Sequence, residues 1–208
     1  MKNPVMTFWL ARCGETVWAN EGRIRGITDL PLSDSGRAMT IEEGRRLDKA
    51  HEVSVVFHPP DEAATETAEI FSNVMESKTK AVEGLLDPDL GLLEGMTQQT
   101  FAERYPKRYK SWREDPLTLS PPDGEDVILA RDRLFNEIAR VIKKSRGSEV
   151  VLILHDLGLG MLRCWLTEQP STELWTLVRE RPRIERYTLT ASMLEQLQKI
   201  DETEVASA

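Results

Sequence analysis

The sequence predicts an α/β fold, a three-layer α/β/α sandwich around a mainly parallel mixed sheet. Short apolar segments typical of strands alternate with amphipathic segments typical of helices, the order expected of a sheet covered on both faces. The segment Val150–Leu154 is apolar at every position, as in a central strand of such a sheet. A chain of 208 residues suits a single domain over residues 1–208, with a lid or insertion at about 96–124.

The first predicted strand is Thr7–Ala11, a short apolar run with two aromatic residues. The stretch Trp18–Pro31 contains Gly22 and Gly26 and is expected to be a loop. Ser33 is a suitable N-cap for a helix over residues 34–50. A second strand, Val53–Phe57, follows this helix.

The next helix is predicted to open at Pro60 or Asp61, residue types favoured in a first turn, and to continue to Met75. Lys80–Leu86 is interpreted as a third strand. The segment 86–95, rich in glycine and proline, is expected to be irregular. Short helices joined at Pro106 are predicted for residues 97–115.

The C-terminal part begins with a long amphipathic helix, Glu125–Lys144, whose apolar residues recur at helical spacing. The strand Val150–Leu154 leads into a helix that reaches Thr167, and another short helix begins near Ser171. The loosely alternating Ile184–Leu194 is interpreted as the last strand. The small polar residues from 201 onward are expected to fray.

The composition limits the classes of partner. The formal charge of −8 argues against nucleic acid and anionic membranes. No apolar run approaches the length of a membrane span, and we expect a cytoplasmic protein. Two isolated cysteines, Cys13 and Cys164, do not form a disulfide framework.

Polar residues follow two of the apolar strands, and they indicate a site. Arg12 and Cys13 end the first strand, and His155 and Asp156 end the strand Val150–Leu154. Ligands of open α/β sheets bind beyond the carboxyl ends of the strands. Arginine, thiol and imidazole together suit an anion, with the cysteine as a potential nucleophile. The simpler interpretation is that Cys13 is a small buried apolar residue and His155 a hydrogen-bonded one.

Motifs along nearly the whole chain resemble those of the histidine phosphatase (phosphoglycerate mutase-like) superfamily, branch 1. Leu10–Trp18 resembles L-x-R-H-G-E-T-x-W, and Gly22–Ser33 resembles G-R-x-Q-G-x-x-D-x-P-L-[ST]. Further blocks in the family order are Thr67–Ile70, Gly91–Thr97, Pro122–Glu125 and Val151–His155.

The resemblance implies a mechanism in which one histidine attacks phosphorus and becomes phosphohistidine. Two arginines and a second histidine hold the phosphoryl oxygens, and an acid protonates the leaving oxygen; such catalysis is mostly positioning and charge stabilisation. Arg12 matches the first arginine, His155 the second histidine and Asp87 the acid. Arg25 stands at a position often held by glutamine and is a candidate replacement cation.

This chain departs from the family pattern at the positions that handle phosphate. Cys13 occupies the nucleophile position, and Ala63 occupies that of the second arginine. Ala19 replaces an asparagine, with Asn20 one place late as a candidate anion ligand. Asp156 replaces a glycine and brings a negative charge close to the expected phosphate.

Three functions remain open at this point. The first is a degenerate phosphatase that has kept a binding or regulatory role. The second is an active phosphomonoesterase that uses the Cys13 thiol as nucleophile. The third is a redox-sensing or metal-binding thiol at Cys13 and His155, although two ligands do not make a zinc site.

We expect neither a cofactor nor a metal. The expected partners are a small phosphorylated or anionic ligand, a protein, or a second copy of the chain in a homodimer. Nucleic acid and membrane are not expected partners.

Overall fold

The structure is a computed structural model that describes residues 4–46, 52–145 and 147–197. The strands are β1 (Pro4–Arg12), β2 (Val53–His58), β3 (Lys78–Ala81), β4 (Glu149–Leu154) and β5 (Ile184–Thr190). The helices are α1 (Val17–Asn20), α2 (Asp34–Arg46), α3 (Glu62–Met75), α4 (Gln98–Arg104), α5 (Pro106–Glu114), α6 (Val127–Lys144), α7 (Asp156–Leu166) and α8 (Leu174–Glu180). Residues 191–197 are also helical.

The strands form one sheet in the order β3-β2-β4-β1-β5. β5 runs antiparallel to β1, and the other neighbours are parallel. The predicted mainly parallel mixed sheet is therefore confirmed. Arg12 is in register with Leu154, so β1 and β4 end side by side.

Hydrophobic clusters cover both faces of the sheet, which confirms the three-layer architecture. Alternate residues of β1 and β4 belong to different clusters, since strand side chains point alternately to the two faces. Leu10 and Leu152 pack with α6 and α7 on one face. Ala11 and Ile153 pack with α3 on the other.

Several boundaries differ from the sequence prediction. The third strand covers Lys78–Ala81 instead of 80–86, and Glu83–Leu85 forms a 3₁₀ turn that buries Leu85. The last strand ends at Thr190, and Leu194 and Leu197 reach the core from a helix. Leu194 and Leu197 are three positions apart, which is the spacing of one helix face, whereas the loose alternation over 184–194 did not mark where the strand ends.

Smaller differences occur near the N-terminus. β1 begins at Pro4. The first residues of the predicted loop 18–31 belong to the short helix α1, which ends at Asn20. The end of the predicted helix 34–50, and the tail from 201, lie outside the described residues. Asp61 is the N-cap of α3, as predicted, and its side chain accepts a hydrogen bond from the Ala64 N–H at 3.1 Å.

Within the described residues, no helix is long and apolar enough to cross a membrane. Cys13 and Cys164 are both buried and free. Burial raises the pKa of the Cys164 thiol to about 11.

Arg163 is fully buried in α7 and ties this helix to the segment that follows it. Its guanidinium donates to the Leu177 carbonyl at 3.0 Å and to the Pro182 carbonyl. These bonds hold the chain between α8 and β5, from which Arg183 reaches back to the Cys13 carbonyl at 2.9 Å.

We expect Arg163→Met to lower the free energy of unfolding by about 2–4 kcal/mol, because a fully buried side chain loses its charge and the Leu177 and Pro182 carbonyls lose their donors. Urea denaturation measures the change. Arg140→Met, an exposed position on α6, is the matched control and should have little effect. Equal stability of the two variants would contradict this role of Arg163.

Candidate functional site

A cavity of about 390 Å³ lies beyond the carboxyl ends of β1 and β4. The parallel register brings the two strand ends together, and the Cys13 N–H donates to the Leu154 carbonyl at 2.9 Å. The predicted site residues that line this cavity are Arg12, Cys13, Ala19, Arg25, Asp87 and His155. Asp156 lines it as well.

Cys13 is buried at the base of the cavity. Its Sγ lies 3.7 Å from Thr67 Oγ1, which also accepts the Gly14 N–H at 3.0 Å. The Thr67 hydroxyl donates to the Ala63 carbonyl at 2.7 Å, so its oxygen is left as an acceptor for the thiol. Thr67 therefore fixes the direction in which the sulfur points.

Arg12 forms a bidentate ion pair with Asp156. Its Nε and a terminal nitrogen donate to the two carboxylate oxygens at 2.5 and 2.7 Å. Burial favours the neutral acid, but the guanidinium outweighs it and lowers the pKa of Asp156. One edge of the guanidinium, with N–H groups that arginine normally offers to an anion, is therefore occupied by the chain itself.

Arg25 meets Asp61 and His155 in a second charged group. Its guanidinium lies 3.0 Å from Asp61 Oδ1 and also contacts His155 Nδ1. His155 Nε2 donates to Asp61 Oδ2 at 2.8 Å. Despite burial, His155 and Arg25 lower the pKa of Asp61, which is therefore a carboxylate.

The charge of His155 depends on these neighbours. Burial opposes protonation, but Cys13 and Asp61 favour it and raise the pKa of His155 to about 10. The contact with Arg25 uses the Nδ1 lone pair, which exists only in the neutral ring. Protonated His155 and the Arg25–Nδ1 hydrogen bond therefore exclude each other, and protonation leaves Arg25 with its Asp61 ion pair.

Asp87 caps the N-terminus of α7. Its carboxylate accepts the Gly158 N–H at 2.8 Å and the Leu157 N–H at 3.3 Å. A Cβ at position 158 would lie 3.0 Å from Asp87 Oδ1, so glycine permits this approach. Burial raises the pKa of Asp87, although His155 and the Gly158 N–H act in the opposite direction. Its role as a proton donor stays a prediction.

Two residues named from the sequence lie elsewhere. Asn20 is exposed at the end of α1, and its amide donates to Ser35 Oγ at 3.2 Å. The cavity is lined by Ala19 instead, since successive helical residues point in different directions. Ala63 is fully buried behind Cys13 in the cluster on α3.

Asp61 is a site residue that the sequence analysis treated only as a helix cap. Its position after β2, the strand next to β4, was the available signal, because the carboxyl ends of parallel neighbours meet. Trp112 and Trp175, interpreted from the sequence as core or interface residues, also line the cavity. Their approach depends on tertiary packing that no local pattern reveals.

Among the described residues, no group of three or more histidine, cysteine, aspartate or glutamate side chains is placed to hold a metal ion.

Comparison with known families gives a match over most of the chain. Residues 8–192 match the family model described as histidine phosphatase superfamily (branch 1).

Individual relatives are phosphatases and mutase-like proteins. The chain is 30% identical over 152 residues to phosphoglycerate mutase-like protein 4 of Arabidopsis thaliana. The matched region covers 70% of this chain and 64% of that protein. It is 23% identical to phosphoserine phosphatase 1 of Hydrogenobacter thermophilus, over 80% of this chain and 79% of that one.

Solved structures support the fold. YhfR of Bacillus stearothermophilus superposes with a TM-score of 0.78 at 25% identity, covering 89% of this chain and 95% of that one. A mycobacterial glucosyl-3-phosphoglycerate phosphatase in complex with VO3 gives a TM-score of 0.72 at 22% identity, over 82% and 85% of the two chains.

The Asp61–His155 pair makes stability depend on pH. Asp61, with a lowered pKa, stabilises the fold above the ordinary aspartate value of about 3.9, and this stabilisation is lost as pH falls. His155, with a raised pKa, stabilises it below about 6.5, and this is lost as pH rises toward about 10. Both contributions are complete only between about pH 4 and 6.5.

We therefore expect Asp61→Asn to cost about 2–4 kcal/mol of unfolding free energy at pH 5.5 and less at pH 9. Urea denaturation at the two pH values measures this. Glu114→Gln, which removes an exposed carboxylate, should show little loss at either. A loss for Asp61→Asn that is the same at both pH values would contradict the linkage.

Proposed function

This chain belongs to branch 1 of the histidine phosphatase superfamily, and we propose that it is a degenerate member that binds a small ligand without phosphohistidine chemistry. The observation that carries the proposal is the pairing of both inner arginines with aspartates of the chain. Arg12 is held by Asp156, and Arg25 by Asp61.

Among the described residues, these pairs leave neither of the two arginines at the base of the cavity without an aspartate, and a protonated His155 shares Asp61 with Arg25. A phosphoryl group needs donors and positive charge where its oxygens lie. To bind the edge of Arg12 formed by Nε and its neighbouring terminal nitrogen, phosphate has to displace Asp156, which accepts two charge-assisted hydrogen bonds there. Because Asp156 is half-exposed, the cost is about 2 kcal/mol, equivalent to roughly 30-fold in affinity. Asp156 then remains nearby and repels the anion.

Under this proposal, Cys13 stands where active relatives require the nucleophilic histidine. A thiol cannot form phosphohistidine. The Cys13 sulfur is held by Thr67 and packs with Ala63, which stands in place of a second arginine. Three changes affect phosphate handling: the nucleophilic histidine and one arginine are missing, and Asp156 adds a negative charge. The core and the sheet are intact.

An active phosphomonoesterase with Cys13 as nucleophile is the second candidate. One observation favours it: the pKa of His155 is raised in part by Cys13, so a protonated His155 would stabilise a Cys13 thiolate. Arg25 also brings a second guanidinium into the cavity. Against it, both guanidiniums are engaged by aspartates, and the thiol has Thr67 as its hydrogen-bond acceptor.

The names of the relatives support a pocket whose ancestral ligands were phosphate esters. Phosphoserine phosphatase is the printed activity of two of them. A mutase role is the least compatible with this chain, because a mutase must hold a doubly charged substrate with cations that are free to bind it.

We expect wild type and Cys13→Ser to hydrolyse 4-nitrophenyl phosphate equally poorly, at the background rate, between pH 5 and 8. The reason is that the inner arginines are neutralised before substrate arrives. Release of 4-nitrophenol measures the rate. Activity that is present in wild type and absent from Cys13→Ser would establish the thiol enzyme and refute the degenerate one.

Cys13→His should not restore hydrolysis by itself, because restoring the nucleophile leaves Arg12 bound to Asp156. Missing charge-assisted contacts amount to about 3–6 kcal/mol, or roughly 10²–10⁴ in rate. The double variant Cys13→His/Asp156→Gly frees Arg12 and is the comparison in the same assay, where any gain should appear first. Full activity of Cys13→His alone would contradict the proposal.

A further inference from the structure

The outer part of the cavity is built from α5 and α8. Trp112 and Arg113 come from α5, and Trp175 and Arg179 come from α8; all four line the cavity. The two indole rings lie 4.6 Å apart between centroids, and Trp175 Nε1 donates to the Trp112 carbonyl at 2.5 Å. This contact joins the two helices into one wall. We call these four residues the outer wall.

The charge of the outer wall differs from that of the base. Arg113 and Arg179 are exposed, and neither has an ion pair or hydrogen bond with another described residue. Arg12 and Arg25, at the base, are both paired with aspartates. In a chain with a formal charge of −8, two arginines without an ion pair among the described residues line the same cavity.

The outer wall combines two features that organic anions need. Guanidinium groups hold carboxylate or phosphate oxygens through two parallel hydrogen bonds. The indole of Trp175, partly exposed to the cavity, offers a flat apolar surface to the body of the ligand. A neutral ligand would leave the two arginines without a counter-charge.

We propose that the outer wall is the anion-binding site of this protein. The ligand is a small organic anion, a carboxylate or phosphate ester, with a flat apolar part that packs against Trp175. Its charged group lies at the mouth of the cavity, between Arg113 and Arg179, instead of at Cys13. This inference rests on the proposed function, since a working phosphatase has to bring the anion to the base.

The test is calorimetric titration of the purified protein with phenylphosphonate, which cannot be hydrolysed at its P–C bond. Arg113→Gln and Arg179→Gln should each weaken binding about tenfold or more, because each removes charge-assisted contacts. The double variant Arg12→Gln/Asp156→Asn removes this ion pair without changing the net charge, and it should change the dissociation constant less than about twofold, since Asp156 already occupies that guanidinium. Arg45→Gln, an exposed arginine on α2 outside the cavity, is the matched control and should behave as wild type.

Two further titrations identify the chemistry. Benzoate binding in the same rank order of variants identifies a carboxylate as sufficient, and weaker binding of inorganic phosphate supports the contribution of Trp175. Loss of phenylphosphonate binding in Arg12→Gln/Asp156→Asn, with Arg113→Gln and Arg179→Gln unaffected, would place the anion at the base and overturn the inference. No saturable binding of any of the three probes to wild type would overturn it as well.

Failure of this inference and failure of the proposed function give different results. Hydrolysis of phenyl phosphate by wild type, lost in Cys13→Ser, refutes the proposed function. The rank order of phenylphosphonate affinities tests the outer wall independently of turnover.

Discussion

The bidentate pair between Arg12 and Asp156 is the interaction on which the chemistry of this cavity depends. It follows from the sheet: β1 and β4 are parallel and in register from Phe8 to Arg12, so the residues after each strand emerge side by side. Asp156 opens α7 at that point and meets the guanidinium with both oxygens. This register brings Arg12 and His155 together, as a phosphate site requires, but it also places the Asp156 carboxylate against Arg12. A single residue after His155 therefore changes what the strand ends can bind.

Charge is divided along the depth of the cavity. At the base, Arg12 is paired with Asp156, Arg25 and His155 share Asp61, and Asp87 accepts hydrogen bonds from the first N–H groups of α7. Toward the mouth, the cations on α5 and α8 have no such partners among the described residues. This division is consistent with a protein that has kept the superfamily fold and a ligand cavity while its phosphoryl-transfer site has become internally satisfied. Among the described residues that line the cavity, the arginines without an ion pair are then those on α5 and α8.

Local patterns in the sequence were sufficient for the architecture and for the residues at two strand ends. Apolar runs predicted β1, β2 and β4, and the rule for carboxyl ends brought Cys13 and His155 together. Local patterns were insufficient where contacts between distant parts of the chain determine which residues meet in the site. Asp61 caps α3 and also accepts a hydrogen bond from His155. Only the placement of β2 beside β4 shows the second role. The bounds of β3 were missed because its residues are mostly polar and exposed, so that no apolar pattern marks the strand. The last strand was extended past Thr190 because loose alternation did not mark its end. Asn20 was one helical position away from the cavity.

The most direct test follows the Nε–Hε signal of Arg12 by nuclear magnetic resonance in ¹⁵N-labelled protein, assigned with Arg12→Lys. Phenylphosphonate is added to saturation. If Asp156 holds the guanidinium, the Arg12 signal stays in place while those of Arg113 and Arg179 move. A saturable shift of the Arg12 signal would mean that the ligand displaces Asp156 and reaches the base of the cavity, and that result would contradict a site neutralised by its own aspartates.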